Sequence, residues 1–335
     1  MPGNDPYKRE DSQLLFGTES TQGTAATVDR EVGKVEGDTE LPDPEIDWQE
    51  ERSIGGGSSR ELTDKFAGQN SYEGGSLPIT PFDGFPIALL LGSDSVQADT
   101  GLDSTGSSTG DTGTTLHTLT VNEAKKPPTV TCEATYFGRG GASDFVRTFT
   151  GMTPPSGTIS TDNEGRLTTE LDMVAMGVST GTSSTSVAAD GRDPWLFHDI
   201  ESDLSLFGTS YARVTEFELE ISANVSPRHY IQSATGKDPF EILNGNIEYE
   251  LSATIVPDDD SLYSELKSRS DAGSANLQFY KSTDDERLRI ELSNIGIESG
   301  GHPMPEEGAP EVDVTIIPES VTVKVEDTQA TSAYV

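Results

Sequence analysis

A mainly β fold, an antiparallel sandwich or barrel with one or two short helices and long loops, is what this sequence predicts. Three observations lead there. Apolar residues recur at every second position in several segments: Leu167, Thr169, Leu171, Met173 and Ala175 in "RLTTELDMVAM", and Phe217, Leu219, Ile221, Ala223 and Val225 in "TEFELEISANV". Period-two alternation places one set of side chains on a buried face and the other in water, as antiparallel sheets do. "TVTCEATYF" and "DFVRTFTG" carry the β-branched and aromatic content of strands. Only two short stretches satisfy the requirements of a helix.

Taken in chain order, residues 1–60 read as an extended acidic arm. Residues 29–51 hold ten acids against Arg30 and Lys34, and Pro42 and Pro44 in "LPDPEIDW" oppose both a helix and a central strand. "IGGGSSR" reads as a hinge. If this arm bridges neighbouring subunits, removing it is expected to leave a folded core that no longer polymerises. Residues 61–335 read as one β-domain. Near its start "GFPIALLLG" is the most aliphatic run of the chain. Pro86 suits a first helical turn and Gly92 a left-handed close, so a buried two-turn helix is expected, wedged between arm and sheet. The Ser/Gly/Asp tract at 93–115 lacks periodicity and is expected to be a long mobile loop. "NIEYELSATI", "RLRIELSN", "EVDVTII" and "SVTVKVE" continue the strands. In "DDDSLYSELKSR" acids at the start and Lys267 and Arg269 at the end suit a helix dipole, with Leu262, Tyr263 and Leu266 on one side.

Composition narrows function. Hydrophobic residues make up 32% of the 335, so the core is thin or completed by neighbouring subunits. Acids outnumber bases 58 to 22, giving a net charge of −36, and they are spread along the whole chain. That is the pattern of a folded protein in molar salt, where the Debye length falls to roughly 3 Å and like-charge repulsion is screened. No basic patch exists to replace the counterions of a nucleic-acid backbone. Cys132 is the only cysteine, which excludes an internal disulfide and a thiolate cluster. No export signal is visible, and no run approaches the ~20 apolar residues of a membrane helix, so no membrane partner is expected.

The search for chemistry yields no catalytic, cofactor-binding or metal residues. "GVSTG" around Ser179 and "GSSTG" around Ser108 match the nucleophile-elbow pattern, but neither is followed by a helix. His117, His198, His229 and His302 form no zinc-binding pair. Asp258, Asp259 and Asp260 read as helix-capping acids more readily than as a cation site. The chain reads as a non-enzyme without cofactors.

Several segments, in their order, resemble the major tail tube proteins of long-tailed (siphovirus-like) viruses, here with a haloarchaeal-virus composition. "FAGQNSYEGGSLPITPFDGFPIALLLG" resembles the family's approach segment and short apolar helix. "TLHTLTVNEAKKPPTVTCEATYF" is similar to its opening strand pair, and "VRTFTGMTPPSGTISTDNEGRLTTELDM" to its Thr/Gly-rich hairpin. The stretch from "TEFELEISANV" through "ILNGNIEYE" to "SLYSEL" follows the family's order, and "ANLQFY" and "LRIELSNIGIES" resemble its closing strands. The resemblance implies a homo-oligomeric ring, typically hexameric, that stacks into a hollow tube ending at an adaptor or terminator and a tip. Viral DNA would pass through the lumen without specific binding. It implies a place in the virion tail, with assembly in the host cytoplasm. Assembly and packing would involve Phe66, Gly68, Tyr72, Gly74, Pro86, Leu89, Leu90 and Gly92. The wet face of "TEFELEISANV", with Glu216, Glu218 and Glu220, is the candidate lumen lining. The competing readings are a halophilic cell-surface domain, another virion protein such as a capsid or decoration protein, and a serine hydrolase.

Overall fold

In the computed structural model, the described residues are 12–35, 37, 39–51, 64–138, 142–162, 165–188, 190–211, 213–231, 237–257, 261–268, 273–300 and 311–335. Strand alternation appears where the sequence places it. Strands β1 (Ser12–Thr18), β2 (Gly33–Val35), β3 (Pro44–Glu51), β4 (Asp64–Tyr72) and β5 (Gly75–Pro81) precede helix α1 (Phe85–Leu91). Then follow β6 (Gly92–Leu102), β7 (Ser108–Val121), β8 (Val130–Tyr136), β9 (Phe145–Met152), β10 (Ser156–Asp162), β11 (Thr168–Met173) and β12 (Gly177–Gly181). After a 3-10 turn (Phe197–Asp199) come β13 (Ile200–Leu206), β14 (Thr209–Tyr211), β15 (Val214–Ser222), β16 (Ser226–Arg228), β17 (Glu241–Leu243) and β18 (Glu248–Ile255). Helix α2 (Ser261–Ser268) leads to β19 (Gly273–Lys281), β20 (Glu286–Gly300), β21 (Val312–Ile317) and β22 (Ser320–Asp327).

Fourteen strands join one large sheet in two wings. One wing runs β2-β5-β11-β10-β15-β18-β21 and the other β14-β13-β19-β20-β22-β7-β6. The hinge is the long β20: its first half pairs with β19 and β22, and Gly296–Gly300 pairs with β21. Buried side chains of both wings, among them Leu219, Ile221 and Leu251 from one and Leu288, Ile290 and Val323 from the other, share one hydrophobic cluster. A separate sheet, β1-β8-β9-β12, sends Phe16, Val130, Cys132 and Phe149 into that cluster. Two further ribbons, β3–β4 and β16–β17, pair with neither sheet.

The aliphatic run forms α1, with every residue buried. Pro86 lies in its first turn, and Gly92 closes it at φ 84°, donating its N–H to the Ala88 carbonyl. Only the missing Cβ makes that left-handed close inexpensive. Phe85 packs edge-on against Phe16 at 6.4 Å, and Leu90 reaches Gly157 on β10. The helix therefore sits between β1 and the large sheet, where a wedge is expected. In "RLTTELDMVAM" all five alternating residues are buried.

Three expectations need correction. The tract at 93–115 is no mobile loop: it is most of the β6–β7 hairpin, paired from Gly92↔Val121 to Leu102↔Ser108. Its side chains are largely solvated on both faces, so no hydrophobic period marks it, and backbone pairing with a few side-chain bonds, such as Leu102 N–H to Glu326, organises it. The described residues before 51 are no free arm either. β1 pairs with β8 along its length, and Leu15, Phe16, Val28 and Val32 are core residues. Deleting residues 1–60 would strip that core instead of merely abolishing polymerisation. In α2, Leu262 is buried but Tyr263 is exposed, so the two do not share the inner side. Asp258–Asp260, the hinge at 54–60 and His302 lie outside the described residues.

Candidate assembly surface

Two surfaces stand out, one charged and one apolar. The charged surface follows from alternation. With Phe217, Leu219 and Ile221 turned into the core, Glu216, Glu218 and Glu220 must point outward, and all three are exposed. Cross-strand register extends this face in both directions. Glu220 lies directly opposite Glu250 on β18 and opposite Thr158 on β10. Glu218 lies between Ser160 and Ser252, and Glu216 between Asp162 and Thr254. Beyond them, Thr158 faces Glu170, and Thr254 faces and bonds Asp313 at 2.9 Å. Glu248 and Asp172 complete the face. Strands β10, β11, β15, β18 and β21 contain no lysine or arginine. Such a surface, of carboxylates spaced by hydroxyls and without cations on its own strands, repels polyanions and holds water.

The apolar surface lies on the two outlying ribbons. Of the large hydrophobic side chains exposed among the described residues, Ile46, Trp48, Phe66, Tyr230, Ile231 and Phe240 all lie on or beside β3–β4 and β16–β17. Trp48 is 53% and Phe66 58% exposed, and the register, which pairs Trp48 with Ala67 and Phe66 with Gln49, puts one ring on each face of the ribbon. A two-stranded ribbon solvated on both faces is marginal in water. Its inner end is firmly held. Tyr72 is buried, its hydroxyl donating to Asp238 at 2.7 Å while Asn70 Nδ2 donates to the same oxygen. Burial and the Asp238 carboxylate push the Tyr72 phenol up to about 12. The second ribbon is braced likewise: the Tyr230 hydroxyl donates to Glu241 at 2.6 Å, and Lys126 pairs with Glu241 at 2.6 Å. Hydrogen bonds from those two groups hold the Glu241 carboxyl below its ordinary range.

The residues expected at an assembly surface thus separate. Phe66 and Gly68 lie on the β3–β4 ribbon, and a side chain at Gly68 would strike the Asp47 carbonyl. Tyr72 is the ribbon's anchor, and Gly74, at φ +79°, turns the chain into β5. Pro86, Leu89 and Leu90 are interior and Gly92 caps their helix. Ile46, Trp48, Tyr230, Ile231 and Phe240 escape the sequence reading. The alternation of Ile46 and Trp48 in "EIDWQ" is a usable signal, outweighed by the surrounding acids.

Ser179 lies in β12 opposite Thr148, and Ser108 starts β7, so neither stands on a strand-to-helix turn. Among the described residues no group of three His, Cys, Asp or Glu side chains could hold a metal ion. Cys132 is fully buried, and burial pushes its thiol far up. No described helix is long and apolar enough to cross a membrane.

Residues 10–325 match the model of a family described as phage tail tube protein. No curated protein matches the chain.

Proposed function

The chain belongs to the phage tail tube protein family, and on that premise we propose that it forms stacked, hexameric rings whose bore is lined by the acidic face of β10, β11, β15, β18 and β21. Membership makes it a structural protein of the virion tail that associates with itself and with other tail proteins. The finer reading is carried by one observation: five adjacent strands present carboxylates and hydroxyls without a single basic residue. A bore of this kind gives DNA phosphates nothing to bind, so the genome slides through at ejection. The virus is one of a haloarchaeal host, with tube assembly in the host cytoplasm and an adaptor and a tip protein closing the two ends. In molar salt the repulsion among the lining acids is screened within roughly 3 Å.

The exposed ribbons supply contacts between copies in this reading. Trp48 and Phe66 lie outside the core, so replacing both by Asp is expected to leave the fold intact and to abolish tubes. Negative-stain imaging in molar salt, with circular dichroism as the folding control, reads both outcomes. Wild-type tube yield from the double variant would remove the ribbon from the interface. A monodisperse wild-type monomer at all protein concentrations would remove the ring. For the bore, duplex DNA should not be retained by wild-type tubes but should be retained by tubes of an E218K/E220K variant. Equal retention by both would move the acidic face to the outside.

A further inference from the structure

His117 lies in β7 and is fully buried. Its Nδ1 is 2.7 Å from Asp94 Oδ2 on β6, and its Nε2 is 3.3 Å from the carbonyl oxygen of Ala330. Both neighbours are acceptors, so both ring nitrogens need a hydrogen, and an imidazole with two N–H groups is the cation. Ala330 belongs to residues 328–335, which follow β22. This segment is held by acids throughout. Thr328 donates its N–H and hydroxyl to Glu286 Oε1, and the N–H groups of Gln329 and Ala330 donate to Asp327 Oδ1. Tyr334 is fully buried, with its ring stacked on His117 at 4.0 Å. Its hydroxyl donates to Asp327 at 2.6 Å and its N–H to Asp94 at 2.8 Å. At the far end, Thr18 of β1 donates its hydroxyl to the Tyr334 carbonyl at 3.0 Å.

We propose that residues 328–335 are a clasp between the β22–β7–β6 wing and the β1-β8-β9-β12 sheet, closed while His117 is an imidazolium and released when it loses its proton. The proposal is independent of how the protein assembles. A neutral ring carries one N–H and one lone pair. Either the Ala330 carbonyl or Asp94 then faces a lone pair inside the protein, a buried mismatch that water cannot relieve. Asp94 has little in reserve: its Oδ1 is buried without a hydrogen-bond partner, so the Tyr334 N–H alone would remain.

The charged and titratable groups around His117 act in one direction. They are Asp94 from β6, Asp327 from β22, and Tyr334 from the clasp. Asp327 is itself paired with Arg192, while Lys324 and Glu326 of β22 are engaged by Glu291 and Arg287. Burial pulls the His117 pKa down, but the hydrogen bond and charge of Asp94, the Ala330 carbonyl and the charge of Asp327 raise it above the ordinary histidine value. Tyr334 does not compete, since burial and the nearby acids hold its phenol well above its usual range. With the closed-state pKa above the open-state value of about 6.5, closure is fully favoured below that pH. It is lost as pH rises through the closed-state pKa. Between the two values the open fraction grows about tenfold per pH unit.

Hydrogen exchange of the full chain, read by mass spectrometry at constant molar salt from pH 6 to 9.5, tests this. After correction for intrinsic exchange, residues 328–335 should exchange about tenfold faster per pH unit between the open-state and closed-state pKa values of His117, while β15 stays unchanged. The H117F variant keeps a ring to stack on Tyr334 but has no proton to lose, and its clasp should be open at every pH. Should H117F fail to fold, the NMR titration of the His117 ring protons in the unmodified protein decides instead. Protection of 328–335 that does not vary with pH, or a His117 that titrates at or below the ordinary histidine range, would overturn the clasp.

Discussion

Carboxylates are used in two opposite ways in this protein, and the contrast explains how so acidic a chain stays folded. On the outer face of β15 and β18, glutamates stand in water with no cation on their own strands. Deep between β5, β20, β22 and the segment before the 3-10 turn, acids converge on a single guanidinium. Arg192, 7% exposed, lies 3.0 Å from Asp83, 2.7 Å from Asp190, 3.0 Å from Asp327 and 3.7 Å from Glu286. Lys281 adds a second cation, 2.9 Å from Glu286 and 4.4 Å above the Trp195 ring. Burial opposes the charge of Arg192, yet the Asp190 hydrogen bond and the charges of Asp83, Asp327 and Glu286 hold its pKa well above the usual value. The hub ties distant parts of the chain together and depends on charge. The face is a solvated surface whose charges are free to serve a partner.

The strongest way to break this comparison is to remove the hub's cation. Arg192→Met leaves Asp83, Asp327 and Glu286 buried without their main counter-charge. Removing one partner of a buried ion pair typically costs about 3–5 kcal/mol. Denaturant unfolding in molar salt should show a loss of that order, and salt should not restore it, because the site is closed to bulk ions. A loss below about 1 kcal/mol would place the hub in the class of surface pairs.

A finer test separates the hub's own acids. Burial pushes the pKa of Asp83 up more strongly than Arg192 pulls it down, so its charge is held against its surroundings. At Asp327 burial also pushes upward, but Arg192, the Tyr334 hydroxyl and two backbone N–H groups outweigh it and hold the pKa low. The signs are opposite. The lowered Asp327 contributes stability that is present above its unfolded pKa of about 3.9 and is lost as pH falls through the folded value. Asp83 contributes no such stability, and its protonation favours the fold. Asp327→Asn should therefore cost about 2 kcal/mol at neutral pH and reduce the acid sensitivity of unfolding. Asp83→Asn should cost about 1 kcal/mol or less. Equal losses in a pH series of unfolding midpoints would show that the two acids are equivalent.

The same contrast shows what a sequence can disclose. The acidic face is legible, since Glu216, Glu218 and Glu220 alternate with Phe217, Leu219 and Ile221 within six residues, and alternation is a local property. The hub is not legible. Asp83, Arg192, Lys281, Glu286 and Asp327 carry no common motif and meet only because β5, β20 and β22 come together in the fold. The β6–β7 hairpin escapes for another reason: solvated on both faces, it has no apolar period to read. Strand β1 escapes because "LLF" is a short apolar run without alternation, although its Leu15 and Phe16 are core residues.

The smallest expected effect is on the face itself. Glu220 and Glu250 are directly opposed on neighbouring antiparallel strands, both exposed. Like charges in that relation destabilise a sheet, at the low end of the ~0.2–1 kcal/mol range of cross-strand pairs. Glu220→Gln keeps the size and the hydration of the side chain while removing the repulsion. In dilute buffer the variant should unfold at slightly higher denaturant than the parent. In molar salt, with a Debye length of roughly 3 Å, the two curves should coincide. That convergence distinguishes a surface tolerated because salt screens it from one stabilised by its acids. Glu220→Gln unfolding earlier than the parent in molar salt would show that the carboxylate itself supports the sheet, and the contrast with the Arg192 hub would lose its basis.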